Sequence, residues 1–535
     1  MKTVYLLPVT MSTMPKLFLL ALLLSPSPPA PELDLLLRGG TVVDGSGSPA
    51  FRADVGVKDG RIARVGDLRD VSAKRVIDVA GQVVAPGFID VHTHADDLAK
   101  RPEAENFVRM GVTTIVAGNC GSSALDVGQA FAEIRKGGVA VNYATLVGHN
   151  TVREAVLGME RRAPTAAELE KMKALVAEAM ADGAVGFSTG LQYVPGSWAE
   201  PGEITELARV ACKAGGLYAS HMRNEGTEIE KAIAETIEVG EKAGCPVQIS
   251  HLKIDSPSRW GVSERALAAI DAARARGIDV EADQYAYTAA ASSLSIRFPD
   301  WALEGGPEEV RKRLDDEATW ERIRDDIRKL LAARGFEDLS FAVVASYPPD
   351  PSLTGLSMKQ AAQKLVGNGS ADAQLEVARR MLRAGGASMV YHLMSEGDVE
   401  RILRHPHVAV ASDGAVFSAG DGRPHPRFSG NNARVLGLYV REKKAIGLPE
   451  AVRKMTSLPA GHFKLAGRGL VQEGYGADLV VFDPAAVRDN ATFEEPLALA
   501  TGFSHVLVNG VPVLENGTLS GATPGQVLRP RQAGL

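Results

Sequence analysis

The sequence predicts an α/β protein built on a closed parallel (β/α)8, TIM-type barrel, with a small β-domain contributed by both chain ends. Three observations carry this. Eight short apolar runs alternate with helical patterns through the middle of the chain, at 88–91, 113–117, 139–147, 184–188, 217–220, 247–250, 278–282 and 408–412. Parallel strands need crossover helices, and closing eight of them into a ring leaves no exposed edge. Short alternating runs broken by Asp-Gly and Gly pairs fill 35–84 and return at 477–483 and 505–510, the texture of β-hairpins. The stretch 297–389, between the seventh and eighth runs, far exceeds a normal connection, and its helical segments at 320–334 and 373–383 predict an inserted, lid-like subdomain over the barrel mouth.

Composition narrows the function. The 535 residues, 45% hydrophobic, suffice for a large core. A net charge of −6, from 59 basic and 65 acidic residues, and the lack of any Lys/Arg run exclude a nucleic-acid binder and point to small molecules. Three cysteines, Cys120, Cys212 and Cys245, leave at least one thiol free and do not read as a disulfide framework.

In chain order, residues 1–30 read as a signal peptide. Lys2 and Lys16 precede an apolar core from Leu17 to Leu24, and a Ser/Pro-rich exit ends at Ala30. The core is too short to span a bilayer, so no integral span remains after processing and the protein is expected to be exported. Pro28 and Pro29 depart from a small-residue cleavage site, and a start at Met11 or Met14 would instead leave a cytoplasmic protein. The β-domain then takes 35–85 and 460–535, and the barrel takes 86–455.

The run at 86–96, Pro-Gly-Phe-Ile-Asp-Val-His-Thr-His-Ala-Asp, ends a buried strand with His92 and His94, whose spacing puts both imidazoles on one face. Other strands end in the same way. Cys120 follows the second, His221 the fifth, His251 and Lys253 the sixth, and Asp413 the eighth, and in this fold chemistry sits where strands end. Cys120, His221 and His251 form a three-donor set for zinc with a fourth position open, and His92, His94 and Asp413 offer a second, weaker position that Cys120 could bridge. Asp413, before the turn-forming Gly414, is the candidate general base. Singly, each has another reading: a hydrogen-bonded core histidine, a buried turn cysteine, an aspartate that caps the following helix. His149 also ends a strand but has no place in the set.

These segments, with Gly111–Ser122, Gly186-Phe187-Ser188-Thr189-Gly190-Leu191, Ser220-His221-Met222-Arg223, Ser250-His251-Leu252-Lys253, Ser412-Asp413-Gly414 and His425-Pro426-Arg427 followed by Arg434-Val435-Leu436-Gly437, resemble the D-aminoacylase (N-acyl-D-amino-acid deacylase) branch of the amidohydrolase superfamily. The resemblance implies a distorted barrel, a small β-sandwich from both termini, one tight zinc on Cys120, His221 and His251, and a loosely used site at His92, His94 and Asp413. The implied reaction is hydrolysis of an N-acyl-D-amino acid to a carboxylate and a D-amino acid. Relatives that open cyclic amides bridge their metals with a carbamylated lysine, usually on the fourth strand; residues 185–189 contain none, and Cys120 takes the bridging place. Lys253 and Arg427 match the family's anchors for the substrate carboxylate, and Tyr193, Tyr287 and Ser292 are candidates to add hydrogen bonds. Arg297 stands where relatives that prefer neutral side chains are usually apolar, which suggests an acidic side chain; a surface arginine is the alternative. Tyr285-Ala286-Tyr287 and Gly430-Asn431-Asn432-Ala433 depart from the family pattern near the pocket and bear on substrate identity rather than on metal chemistry. Cleavage of D-residue dipeptides, cyclic amides or lactones on the same site is the nearest competing activity. A non-catalytic barrel would have lost ligands, and all six candidates are kept.

Overall fold

The computed structural model describes residues 1–3, 32–417, 420 and 422–530. The expected signal peptide lies, but for its first three residues, outside the described residues. No described helix is long and apolar enough to cross a membrane.

Eight parallel strands form the centre. Phe88–Asp90, Val112–Ala117 and Asn142–Thr145 pair in that order. The third strand resumes at Val147–Gly148 and pairs with Gly186–Gly190, after which Leu217–His221, Val247–Ile249, Val280–Gln284 and Val408–Val410 follow in parallel register. Leu146, in the break, donates its N–H to the carbonyl of Ala117. The ring closes without a ladder: Asp413 N donates to His92 O at 2.9 Å and His94 N to Gly414 O at 2.7 Å. The broken third strand and this loose closure are the distortion of the barrel. The strands are buried along their length, which is why they read as continuous apolar runs rather than alternating ones.

The crossover helices carry their boundaries in the sequence. In Ala166–Asp182, Thr165 and Glu168 form a capping box, Gly183 leaves in the left-handed region, and Met172, Val176, Ala179 and Met180 are buried.

Both chain ends build one continuous nine-stranded sheet. Val83–Pro86 pairs antiparallel with Leu479–Phe482, which joins Leu33–Val42 and its neighbours to Phe503–Val508 and Val511–Glu515. Leu35, Val55, Val84, Leu479, Val481 and Leu507 from the two ends share one apolar core. Before the last barrel strand, Ala289–Ser293, Ser388–His392 and Ala342–Ser346 make a three-stranded antiparallel sheet that carries the helices Gly306–Asp315, Glu317–Arg334, Met358–Val366 and Ala371–Arg383.

The cysteine reading needs a correction. Cys212 and Cys245 form a disulfide, with Cα atoms 5.2 Å apart, between the helix Pro201–Lys213 and the turn before the sixth strand. Their separation of 33 residues bears no motif, and only the packing of that crossover brings them together. Cys120 is the free, buried thiol.

Candidate metal centre

All six expected ligands come together at the C-terminal mouth of the barrel. Cys120, His251 and Asp413 occupy the turns that leave strands two, six and eight, with φ of 53°, 35° and 50°. Non-glycine residues in that region cost on the order of 1–3 kcal/mol each and persist where the surroundings enforce them. Around Cys120 the enforcement is visible: a Cβ on Gly190 of strand four would lie 2.0 Å from Cys120 O, and one on Gly121 would lie 2.2 Å from Asn150 Oδ1.

The donor atoms of Cys120, His221 and His251 lie within 4.8 Å of one another, as do those of His92, His94 and Cys120, and those of His92, His251 and Asp413. Cys120 Sγ is 3.3 Å from His92 Nε2 and 3.4 Å from His251 Nε2. Asp413 Oδ1 is 3.1 Å from His94 Nε2, so this carboxylate faces the imidazoles instead of capping a helix. His221 is buried, yet neither ring nitrogen has a hydrogen-bond partner among the described residues. Buried polar atoms are rarely orphaned, and thiolate plus imidazole suits a borderline cation such as zinc. The residues therefore fit the metal.

The electrostatics agree. Burial alone would raise the Cys120 thiol, but the imidazoles of His92 and His251 outweigh it and hold the thiol well below its ordinary range. Burial likewise opposes ionisation of Asp413, and Arg427 and His94 hold it well below the carboxylate range. Both groups are thus held in the anionic form that a metal ligand needs.

Three buried carboxylates went unread in the sequence. Asp283 accepts the backbone N–H of His251 at 2.8 Å, stands 3.2 Å from His92 Nδ1 and accepts Gln248 Nε2 at 2.6 Å. Glu225 Oε1 accepts Lys253 Nζ at 2.6 Å and lies 3.0 Å from His251 Nδ1. Asp90 Oδ1 accepts Ser412 N at 3.0 Å across the barrel seam, and burial pushes its carboxyl up to about 6. Partners of this kind fix which imidazole nitrogen points at a metal. Asp283 was findable, since it lies on the seventh strand at the level where the other strands carry ligands. Glu225, in the loop after His221, carries no comparable signal.

A cavity of about 650 Å³ opens over the cluster, walled in part by the inserted sheet through Ser292, Met389 and Tyr391. Lys253 lines it and is 4% exposed. Arg427 donates Nη2 to Asp413 Oδ2 at 2.9 Å and stacks on Tyr285, while its buried Nε and Nη1 have no hydrogen-bond partner among the described residues. Tyr193 lines the cavity and accepts a hydrogen bond from Ser292 Oγ at 3.2 Å. Tyr287 does not line it: its hydroxyl donates to Asp489 at 2.7 Å, and Tyr285 takes the place facing the cavity because the chain turns at Ala286 instead of continuing as a strand. Arg297 is a cavity residue rather than a surface one, stacked 4.3 Å from the Tyr391 ring centroid, with Nε unpartnered among the described residues. His149 pairs with Glu203 at 2.9 Å and takes no part in the cluster.

A closed parallel barrel with imidazole, thiolate and carboxylate donors gathered at its C-terminal mouth defines a metal-dependent barrel enzyme. The family model described as "Amidohydrolase family" matches residues 75–514. D-aminoacylase of Alcaligenes xylosoxydans xylosoxydans is 41% identical over 519 residues, covering 92% of this chain and 97% of the relative. Among solved structures, a D-aminoacylase studied for its binuclear metal centre, with one-metal activation and second-metal attenuation, is 39% identical with a TM-score of 0.81, covering 93% of this chain and 100% of that one. N-acyl-D-glutamate deacylase of Bordetella bronchiseptica, solved with zinc and a phosphonate mimic of the tetrahedral intermediate, is 37% identical with a TM-score of 0.80, covering 93% and 99%. The chain belongs to the amidohydrolase family, in its branch of D-aminoacylases and N-acyl-D-amino-acid deacylases.

Proposed function

We propose that this protein is a zinc-dependent hydrolase of N-acyl-D-amino acids, releasing a carboxylate and the free D-amino acid. Cys120, His221 and His251 would hold the tighter zinc, and His92, His94 and Asp413 would supply a weaker second position beside Cys120. When bound, zinc polarises the acyl carbonyl and brings the pKa of a water molecule down to about 7. Asp413 takes the proton of the attacking water on Oδ1, which faces the imidazoles, and returns it to the leaving nitrogen. Its Oδ2 stays on Arg427 Nη2, which keeps the carboxylate oriented throughout. Arg427 offers its free Nε and Nη1 to the substrate carboxylate, and Lys253 adds a second positive charge from the cavity wall. Tyr193 and Ser292, which also line the cavity, bond the substrate's polar atoms. Arg297, buried and with no carboxylate partner among the described residues, meets an acidic side chain, so D-glutamate-like substrates are favoured over neutral ones.

The observation that carries this reading is the meeting, in one cavity, of the buried donor cluster with a buried guanidinium two of whose nitrogens have no hydrogen-bond partner among the described residues. Chelation and reconstitution test it. Metal-free protein should leave N-acetyl-D-glutamate intact, and about one equivalent of zinc should restore hydrolysis; activity that survives complete metal removal rejects the reading. Export is part of the proposal and is supported by the Cys212–Cys245 disulfide, a bond that persists in oxidising compartments. N-terminal sequencing of the mature protein should begin just after Ala30, and an unprocessed chain in the cytosol contradicts export.

A further inference from the structure

At the end of the barrel opposite the cavity, Asp279 and Glu281 frame the start of strand seven, on the same face as Asp283 two residues further on. Beside them, His462 ends the short helix Ser457–His462, which leads toward the terminal sheet. Donor atoms of Asp279, Glu281 and His462 lie within 4.8 Å of one another. Glu281 and His462 are 8% and 5% exposed, yet Glu281 Oε2 and both ring nitrogens of His462 have no hydrogen-bond partner among the described residues. The nearest carboxylate oxygen to His462 is Asp279 Oδ2, 3.6 Å from Nδ1 and beyond hydrogen-bonding distance. Buried polar groups find partners almost without exception, so these orphaned atoms mark a partner that is not protein.

The neighbouring positive charges are already committed. Arg274 holds Asp279 through Oδ1 at 3.1 Å, which leaves Oδ2 turned toward His462. Lys454 is bound to the carbonyls of His405 and Val408, and Arg453 is paired with Glu450 at 2.8 Å. His405 is engaged by Asp271 at 3.1 Å. Two carboxylates and one imidazole remain, a donor set for a borderline divalent ion rather than for calcium or magnesium, which prefer oxygen alone. Asp279 is exposed, which gives an ion a path from solvent.

We propose that Asp279, Glu281 and His462 bind a divalent transition cation of the zinc class, completed by water, as a structural site separate from the catalytic cluster. It ties the segment entering the terminal sheet to the barrel floor, the face of this fold that serves stability rather than chemistry.

Zinc content and zinc location test this. The full-length, zinc-loaded protein is dialysed against buffered free zinc, and zinc per chain is measured for wild type, Glu281→Gln, His462→Gln and the exposed-site variant Asp279→Asn. Each variant should hold one zinc fewer than wild type while keeping the wild-type kcat for N-acyl-D-amino acids. Wild-type crystals grown with zinc should give an anomalous-difference peak between the three side chains, a result that does not depend on any variant folding. Equal zinc in all four proteins, or anomalous peaks at the barrel mouth alone, overturns the proposal.

Discussion

Asp413 serves three contacts at one residue: its carboxylate faces His94 and is held by Arg427, and its backbone N–H closes the barrel onto His92. Asp413→Asn keeps the shape and removes the base, so kcat for hydrolysis should fall by about 10²–10⁴-fold with a smaller change in KM, as steady-state kinetics would reveal. Cys120→Ala and His251→Ala remove donors of the tighter position, and metal analysis should find that zinc lost in both; full zinc occupancy in either variant refutes the assignment. Arg297→Leu should reduce the ratio of kcat/KM for acidic over neutral D-substrates by at least about tenfold, the order expected when a charge-assisted bond is lost in a buried site, and an unchanged ratio returns Arg297 to a packing role. The imidazoles, Cys120 and Asp413 were legible because each ends a strand in a fold whose strand ends carry chemistry. Glu225 and the Tyr285–Tyr287 exchange were not, because both depend on how a loop turns, and period-2 reasoning holds only while the chain stays extended.

The strands themselves were readable as elements to within a few residues, since burial on both faces leaves an uninterrupted apolar run. Their irregularities were not. Nothing in the run at 139–147 announces that the third strand breaks at Leu146, or that the eighth and first strands meet through single bonds at Asp413 and His94. Left-handed turns at Cys120, His251 and Asp413 were equally invisible: Asp and His enter positive φ more readily than most residues, but no residue other than glycine marks such a turn from its type alone. Strand four has its own part in shaping the site. Its last residue, Gly190, leaves room for the carbonyl of Cys120, so Gly190→Ala should push the cysteine turn aside and weaken zinc binding, read by competition with a chelator, although no ligand is changed. Wild-type zinc affinity in that variant contradicts the coupling.

At the scale of the whole molecule, Asp478 joins the chain ends to the barrel. It accepts Asn142 Nδ2 of strand three at 2.9 Å and the backbone N–H of Asn509 at 2.7 Å, and it pairs with Arg468. Asp478→Ala takes a bond from all three partners, leaving Asn142 Nδ2 only its contact with Thr114 Oγ1, and a loss of about 3 kcal/mol should appear as a clear fall in Tm with catalytic zinc unchanged. The pairing of the two ends was legible from matching hairpin texture, whereas the knot at Asp478 and the Cys212–Cys245 bond depend on contacts that sequence spacing does not encode. The account as a whole stands on one reaction. Amine release from matched N-acetyl-D and N-acetyl-L forms of Glu, Asp, Met and Leu, with zinc present, tests it most directly. Turnover confined to the D series, led by D-Glu or D-Asp, is the predicted result; turnover of the L series at comparable rates, or of neither series, contradicts it.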